Sequence, residues 1–414
     1  MIPFEHFILK NGLEVYVHED HSNSIAVLNL LYRVGSRDED PDKTGFAHLF
    51  EHLMFGGSKH IPNYDLELQR VGGENNAFTS PDITNYYITL PSANLETAFW
   101  LESDRMLSLS FDPQVLHIQQ NVVVEEYKQR YLNQPYGDAW LRLRPLAYTV
   151  HPYRWPTIGK DISHIEHATM DDVKNFFYTY YIPNNAILVV AGNVHTKQVV
   201  HLAEKWFEPI PPGRHVVRNI PAEPPQIHPR KQEAVGDVPA HAIFKAYHMC
   251  GRTHARYNAT ELMCDLLGRG KSSRLYQSLV KEKKIFSSLH AYTTSSVDPG
   301  LLVIEGKLNK GYTLEQADAE IQALTQNLIK EGPSQKELQR AKNQSISTLE
   351  FGEVEILERA MAIAFAANLG DANLVNLETN KIESVNVDDI NSLSAEILRE
   401  DNCSTLYYRS ATST

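Results

Sequence analysis

Two histidines and a glutamate stand within five residues, His48-Leu49-Phe50-Glu51-His52. On a helix, His48 and His52 lie one turn apart on one face, so both imidazoles can reach a single metal ion. Zinc takes neutral imidazole nitrogens. A neighbouring carboxylate that is not itself a ligand can take the proton from a water that the ion activates. Glu51, one position ahead of the second histidine, is that carboxylate. The order is H-x-x-E-H, the reverse of the commoner H-E-x-x-H. Phe46, Leu49, Phe50, Leu53 and Met54 make the rest of this helix apolar, and an imidazole buried there without a partner would be costly. Gly56-Gly57 supplies the helix stop.

A catalytic zinc normally has three protein ligands, so a third must come from elsewhere. The stretch Val122-Val123-Val124-Glu125-Glu126-Tyr127 offers two candidates. Asp112-Pro113 is a good helix start, with Asp as N-cap and Pro at the first helical position. On the helix that follows, Val115, Gln119, Val122 and Glu126 fall on one face, which directs Glu126 inward and Glu125 elsewhere. Either glutamate alone reads as a solvated helix carboxylate; the histidine pair is what asks for one of them.

Further segments carry a resemblance over nearly the whole length. They are Asn75-Asn76-Ala77-Phe78-Thr79-Ser80-Pro81-Asp82-Ile83-Thr84-Asn85-Tyr86-Tyr87, His151-Pro152-Tyr153, Pro156-Thr157-Ile158-Gly159, and the run from Tyr180 through Pro183-Asn184-Asn185 to Gly192-Asn193-Val194. With the histidine motif they make the chain resemble the pitrilysin and mitochondrial-processing-peptidase family of zinc metallopeptidases, the inverzincins. The resemblance implies His48, His52 and Glu126 as zinc ligands, Glu51 as general base, and Asn76, Ala77 and Phe78 on an edge strand that pairs with an extended peptide substrate. It implies hydrolysis of peptides or unfolded polypeptides inside a clamshell of four domains.

The positioning elements repeat. An apolar strand Ala26–Tyr32, then Gly35-Ser36-Arg37, then the histidine helix, is echoed by Ala242–Tyr247, then Gly251-Arg252-Thr253, then a helix ending in Gly268-Arg269-Gly270. Between the halves run Pro209-Ile210-Pro211-Pro212-Gly213 and four further prolines to Pro229, an extended linker composition. We expect an α+β protein of two homologous domains, a catalytic one at 1–209 and an inactive one at 231–414, joined by a proline-rich linker at 210–230. The resemblance makes each an α/β roll, a mixed sheet with helices packed on it. Aligning Gly57 with Gly270 sets Glu261 against His48 and Asp265 against His52, so the second metal site is lost.

Two positions depart from the family pattern. Gln119 stands where many relatives carry a further carboxylate. Active relatives also supply an arginine and a tyrosine from the domain facing the zinc, where this chain has Val280 and Ser287. A two-domain chain therefore implies a dimer, and the missing pair implies a heterodimer in which a homologous subunit provides Arg and Tyr. The alternative is a non-catalytic core subunit with an idle zinc site. Gly268, Gly270 and Ser272-Ser273 read either as a substrate-touching loop or as a plain connection; they lack phosphate-loop spacing.

Composition narrows the classes. The net charge of −12 disfavours nucleic acid as a partner, and no apolar run reaches the length of a membrane span. Three widely spaced cysteines, Cys250, Cys264 and Cys403, fit a reducing compartment and no structural zinc site. The start Met1-Ile2-Pro3-Phe4-Glu5 carries no secretory signal, which leads us to expect a cytoplasmic protein, or a periplasmic one if an N-terminal segment was trimmed.

Overall fold

The computed structural model describes residues 1–411. Its eleven strands form two sheets. The first contains β1 (Glu5–Ile8), β2 (Glu14–Glu19), β3 (Ile25–Tyr32), β4 (Glu74–Thr79), β5 (Thr84–Pro91) and β6 (Ala186–Gly192), in the order β1-β2-β6-β3-β5-β4. The second contains β7 (Arg230–Gly236), β8 (Ala242–His248), β9 (Phe286–Thr293), β10 (Leu301–Leu308) and β11 (Cys403–Ser410), in the order β7-β11-β8-β10-β9. The helices of the first half are α1 (Phe46–Leu53), α2 (Tyr64–Arg70), α3 (Leu95–Leu107), α4 (Pro113–Tyr127), α5 (Ala139–Ala147), α6 (Ser163–Glu166), α7 (Met170–Tyr180) and α8 (Thr196–Trp206). Those of the second are α9 (Tyr257–Gly268), α10 (Leu314–Glu331), α11 (Gln335–Gly352), α12 (Ile356–Asn368), α13 (Glu378–Ser384) and α14 (Val387–Ile397).

The repeat holds strand by strand. β2 runs parallel to β6 as β7 does to β11, and β3 is antiparallel to β6 as β8 is to β11. The ladders even match in register. Tyr32 faces Ala186 and Thr84, and Tyr247 faces Cys403 and Leu302. One step further out, Thr79 faces Thr84 and Thr293 faces Leu302, so Thr79 and Thr293 are counterparts. The first sheet adds only β1, the antiparallel hairpin partner of β2 across the Asn11-Gly12 turn.

The chain folds into two units. One comprises Met1–Tyr127, Trp155–Ile220 and Glu350–Leu377; the other comprises Lys128–Arg154, Pro221–Leu349 and residues 378–411. Residues 211–229 carry almost no regular structure, and the chain passes from one unit to the other within them. The sequence boundaries at 1–209 and 231–414 describe continuous domains, whereas the folded units exchange a helix. Ile356, Ala360, Ile363, Ala364 and Ala367 of α12 pack on Val27, Leu31, Ile187 and Val189 of the first sheet. Ala139, Leu143 and Ala147 of α5 pack on Ala242, Phe244, Ala246 and Leu406 of the second. The covered strands, β3 and β6 against β8 and β11, are counterparts. An amphipathic helix needs some apolar sheet face, but its periodicity does not say whose.

Candidate metal centre

The histidine helix α1 begins at Gly45, whose backbone is left-handed (φ 91°) and where a Cβ would meet the Ile158 carbonyl oxygen at 2.7 Å. Its first turn is anchored by Glu39. The Glu39 Oε2 accepts the Gly45 N–H at 2.9 Å and Oε1 the Ala47 N–H at 2.8 Å, which serves donors that a helix start leaves unpaired. Burial pushes this carboxyl up to about 8, against the pull of those N–H groups. One face of α1 lies on an aromatic bed in which the Phe50 ring sits 5.0 Å from both Phe176 and Tyr181. Burying aromatic side chains of this size contributes roughly 1.5–3 kcal/mol each, which fixes the helix while its other face carries the polar groups.

Helix α4 supplies the third side chain. Asp112 Oδ1 accepts the Gln114 N–H at 2.8 Å and Pro113 opens the helix, as the sequence predicts. Gly56 lets α4 come close: a Cβ there would lie 2.4 Å from the Val115 Cγ1. Gln120 Nε2 donates to the carbonyls of Ile165 (2.8 Å) and Ala168 (2.9 Å), setting the rotation of α4. The buried side consists of Leu116, Val123, Val124 and Tyr127, with Gln119 and Glu126 half-buried beside it. This corrects the expected face: Val122 is 44% exposed, because positions 116, 119, 123 and 126–127 share the inward stripe and 122 falls outside it. Glu125 is exposed.

His48, His52 and Glu126 converge. His48 Nε2 lies 3.6 Å from Glu126 Oε1, and His52 Nε2 lies 3.4 Å from Glu126 Oε2. The imidazoles stand nearly perpendicular, at 84°, and the three donor atoms all lie within 4.8 Å of one another. A tetrahedron with bonds of about 2.0–2.1 Å has edges of about 3.3 Å, so two imidazole nitrogens and a carboxylate at these separations fit a zinc ion. Harder cations would ask for more oxygen. Glu51 belongs to the same helix but not to this triangle. Its Oε2 accepts the Thr79 hydroxyl at 2.7 Å, while its other oxygen accepts no hydrogen bond among the described residues.

The remaining sequence candidates fall as follows. β4 is the edge of its sheet. Thr79 reaches α1 and Asn75 donates to Asp65 of α2 at 3.0 Å, so by strand alternation Ala77 shares the α1 face. Asn76 and Phe78 point to the other face, where Phe78 meets Phe365 of α12 edge-on at 6.2 Å. The Ala77 N–H is covered by Asn76 Oδ1 at 2.8 Å, leaving the pairing with β5 to its neighbours. In the second unit, Val280 packs against the core, and the Ser287 hydroxyl donates to the Lys307 carbonyl at 3.1 Å. At Gly268 a Cβ would sit 2.1 Å from the Ala291 nitrogen, so packing against β9 requires that glycine, and Ser273 Oγ closes the loop on the Gly270 carbonyl at 2.8 Å.

The second unit carries a modified copy of the motif. Glu261 accepts the hydroxyl of Thr293 at 3.3 Å, as Glu51 accepts that of its counterpart Thr79. By this contact Glu261 corresponds to Glu51 and not to His48, a shift from the glycine-based alignment caused by different loop lengths on either side of the helix. The histidine positions then fall on Asn258 and Leu262. Asn258 donates to Glu378 at 2.7 Å and Leu262 is fully buried.

Neither Glu39 nor Gln120 stands out as a site residue in the sequence, and Thr79 does so only as part of the Asn75–Tyr87 segment. Strand parity with Ala77 was the one available signal, and it pointed to Thr79. Gln120 acts through carbonyls 45 and 48 residues along the chain, and Glu39 through N–H groups six and eight residues on, across a turn that the sequence pattern does not specify.

Comparison with known proteins gives the family and the fold. Residues 14–142 match the family described as insulinase (peptidase family M16), and residues 167–345 match the peptidase M16 inactive domain. The zinc protease PqqE of Helicobacter pylori is 33% identical over 348 residues, covering 82% of this chain and 77% of that protein. An uncharacterized zinc protease of Bacillus subtilis, YmxG, is 25% identical, covering 95% and 96%. Among solved structures, a protease from Helicobacter pylori superposes with a TM-score of 0.94 at 29% identity, covering 99% of this chain and all of the other. An M16 inactive domain from Pseudomonas fluorescens gives 0.90 at 18%, covering 100% and 99%, and shares the fold.

Proposed function

The chain belongs to peptidase family M16, and from that premise we propose that it is a zinc-dependent endopeptidase acting on peptides or unfolded polypeptides. The observation that carries this reading is the convergence of His48, His52 and Glu126 beside a carboxylate, Glu51, that is held but not consumed. Zinc, when bound there, supplies Lewis-acid polarisation of the scissile carbonyl and acidifies water. The chain's own residues do the rest. His48 and His52 present Nε2, and Glu126 presents both oxygens from the facing helix. Glu51 takes the proton from the attacking water and returns it to the leaving amine. The Thr79 hydroxyl fixes one Glu51 oxygen, so the other is aimed for that transfer. The edge of β4 offers main-chain groups to an extended peptide once the Asn76 side chain releases the Ala77 N–H, a mode of binding tolerant of sequence.

The proposal includes a partner. Val280 and Ser287 provide no strong donor for a developing oxyanion, and losing one such donor typically costs about 10²–10³ in rate. A homologous subunit carrying an arginine and a tyrosine restores them, which favours a heterodimer over a homodimer. Three free cysteines support a reducing, cytoplasmic setting for the complex.

Cleavage of a quenched fluorescent peptide library tests both parts, using the zinc-loaded chain alone and with homologous subunits encoded beside it. Turnover that appears with a partner and vanishes in Glu51→Gln is the expected outcome. Full turnover by the chain alone removes the partner requirement. Silence in every combination, with zinc bound, moves the assignment to a non-catalytic core subunit.

A further inference from the structure

A second convergence of metal-ligating atoms occurs where β2 ends and α8 begins. Glu19 closes β2, His21 follows it, and His195 immediately precedes α8. Glu19 Oε1 caps that helix, accepting the backbone N–H and the hydroxyl of Thr196, both at 2.7 Å. Its Oε2 points elsewhere, 3.3 Å from His21 Nε2 and 3.7 Å from His195 Nδ1. The two imidazoles lie 4.9 Å apart, and all three side chains are exposed. Asp20, between the first two, is taken by Arg359 at 2.7 Å.

The environment of His21 selects its tautomer. Asn193 Nδ2 donates to Ser92 Oγ at 3.2 Å, which leaves Asn193 Oδ1 as the acceptor facing His21 Nδ1 at 2.8 Å. Nδ1 therefore carries the hydrogen, and Nε2 of the neutral ring presents a lone pair. A lone pair and a carboxylate oxygen 3.3 Å apart repel unless a proton or a cation lies between them. An outer partner that holds one ring nitrogen and frees the other is the usual support of a metal-binding histidine.

We propose that Glu19, His21 and His195 form a surface site for a d-block dication of the zinc, nickel or copper class, separate from the His48–His52–Glu126 centre. Two imidazoles and one carboxylate oxygen suit this class and not magnesium or calcium, which demand oxygen shells. The separations of 3.3 and 3.7 Å sit close to the edge of about 3.3 Å that a tetrahedral ion requires. Glu19 and His195 also line a groove of about 710 Å³ with Pro3, Phe4 and Thr196, so the remaining coordination positions are open to water. An ion here ties the end of β2 to the turn between β6 and α8.

The test counts ions. The whole chain is stripped with a chelator, dialysed against Zn²⁺, and its metal content per chain measured by mass spectrometry. Two ions are expected in the wild type, one in His195→Ala, one in His48→Ala, and none with both substitutions. In the His48→Ala variant, Cu²⁺ added at one equivalent should show two imidazole nitrogens by electron paramagnetic resonance. A wild type that binds one ion, lost in His48→Ala and kept in His195→Ala, overturns the proposal and leaves a proton as the bridge at His21. A single ion kept in His48→Ala and lost in His195→Ala upholds this site and overturns the zinc centre instead.

Discussion

The two units share one ladder and differ in what one helix presents. In the first, α1 offers His48 and His52 toward Glu126 and Glu51 toward Thr79; in the second, α9 offers Asn258, Glu261 and Leu262. The carboxylate survives the repeat and the imidazoles do not. Around Glu261 the protein has substituted hydroxyls for chemistry: Tyr257 donates at 2.7 Å, Thr293 at 3.3 Å and Ser295 at 3.4 Å. Around Glu51 a single hydroxyl, that of Thr79, holds one oxygen. The helix starts differ as well, since Glu39 anchors the first turn of α1 while α9 has no side-chain cap. Glu261 accepts three hydroxyls on one oxygen and stands between Asn258 and Leu262 on its helix, whereas Glu51 accepts one hydroxyl and stands between two imidazoles.

The contrast can be broken at its strongest point first. His52→Ala should cost the first unit its zinc at the centre and all peptidase turnover, read by metal analysis and peptide cleavage; no residue of α9 should take over. Glu51→Gln should keep the zinc and lower turnover by about 10³-fold or more, since proton transfer by a positioned carboxylate contributes on the order of 10²–10⁴. If metal content falls with activity in that variant, Glu51 serves as a ligand and the division of roles is mistaken.

A matched pair sharpens the comparison further. Thr79→Val should slow turnover by about 10-fold at unchanged zinc content, the scale of one lost orienting hydrogen bond, while Thr293→Val should leave turnover untouched. Equal effects from the two would erase the distinction between a poised and an inert carboxylate.

The smallest effect concerns Glu39. Its folded carboxyl lies at about 8 against an ordinary 4.5, so the folded state binds that proton more tightly. The resulting stability is fully present below pH 4.5 and is lost as pH rises through about 8, by at most a few kcal/mol. Glu39→Gln should flatten the fall of denaturation free energy across that window. A slope that persists in the variant places its origin elsewhere.

Much of this was legible from residues alone where the determinants were local. The H-x-x-E-H spacing needs only a helix to bring His48, Glu51 and His52 to one face, and Asp112-Pro113 announces the helix that carries Glu126. The echo of Ala26–Tyr32 in Ala242–Tyr247 marks the repeat. The placement of Val122 failed because a helical stripe can be rotated by one position without changing its period. The match of Glu261 to His48 failed because loops of different length hide the true register, which only the strand ladders display.

What the sequence by itself determined is the chemistry available: two imidazoles, a carboxylate beside them and another far along the chain, in two repeated halves. What the tertiary structure decided is which distant groups meet. It brought Glu126 to the histidines, Thr79 to Glu51 and Glu39 to the start of α1. It laid α12 on the first sheet and α5 on the second, and it set His195 beside Glu19 and His21. The physical reason is that a local pattern fixes the face a residue occupies, whereas a contact between separate segments depends on how whole layers pack, and that information is spread over the entire core.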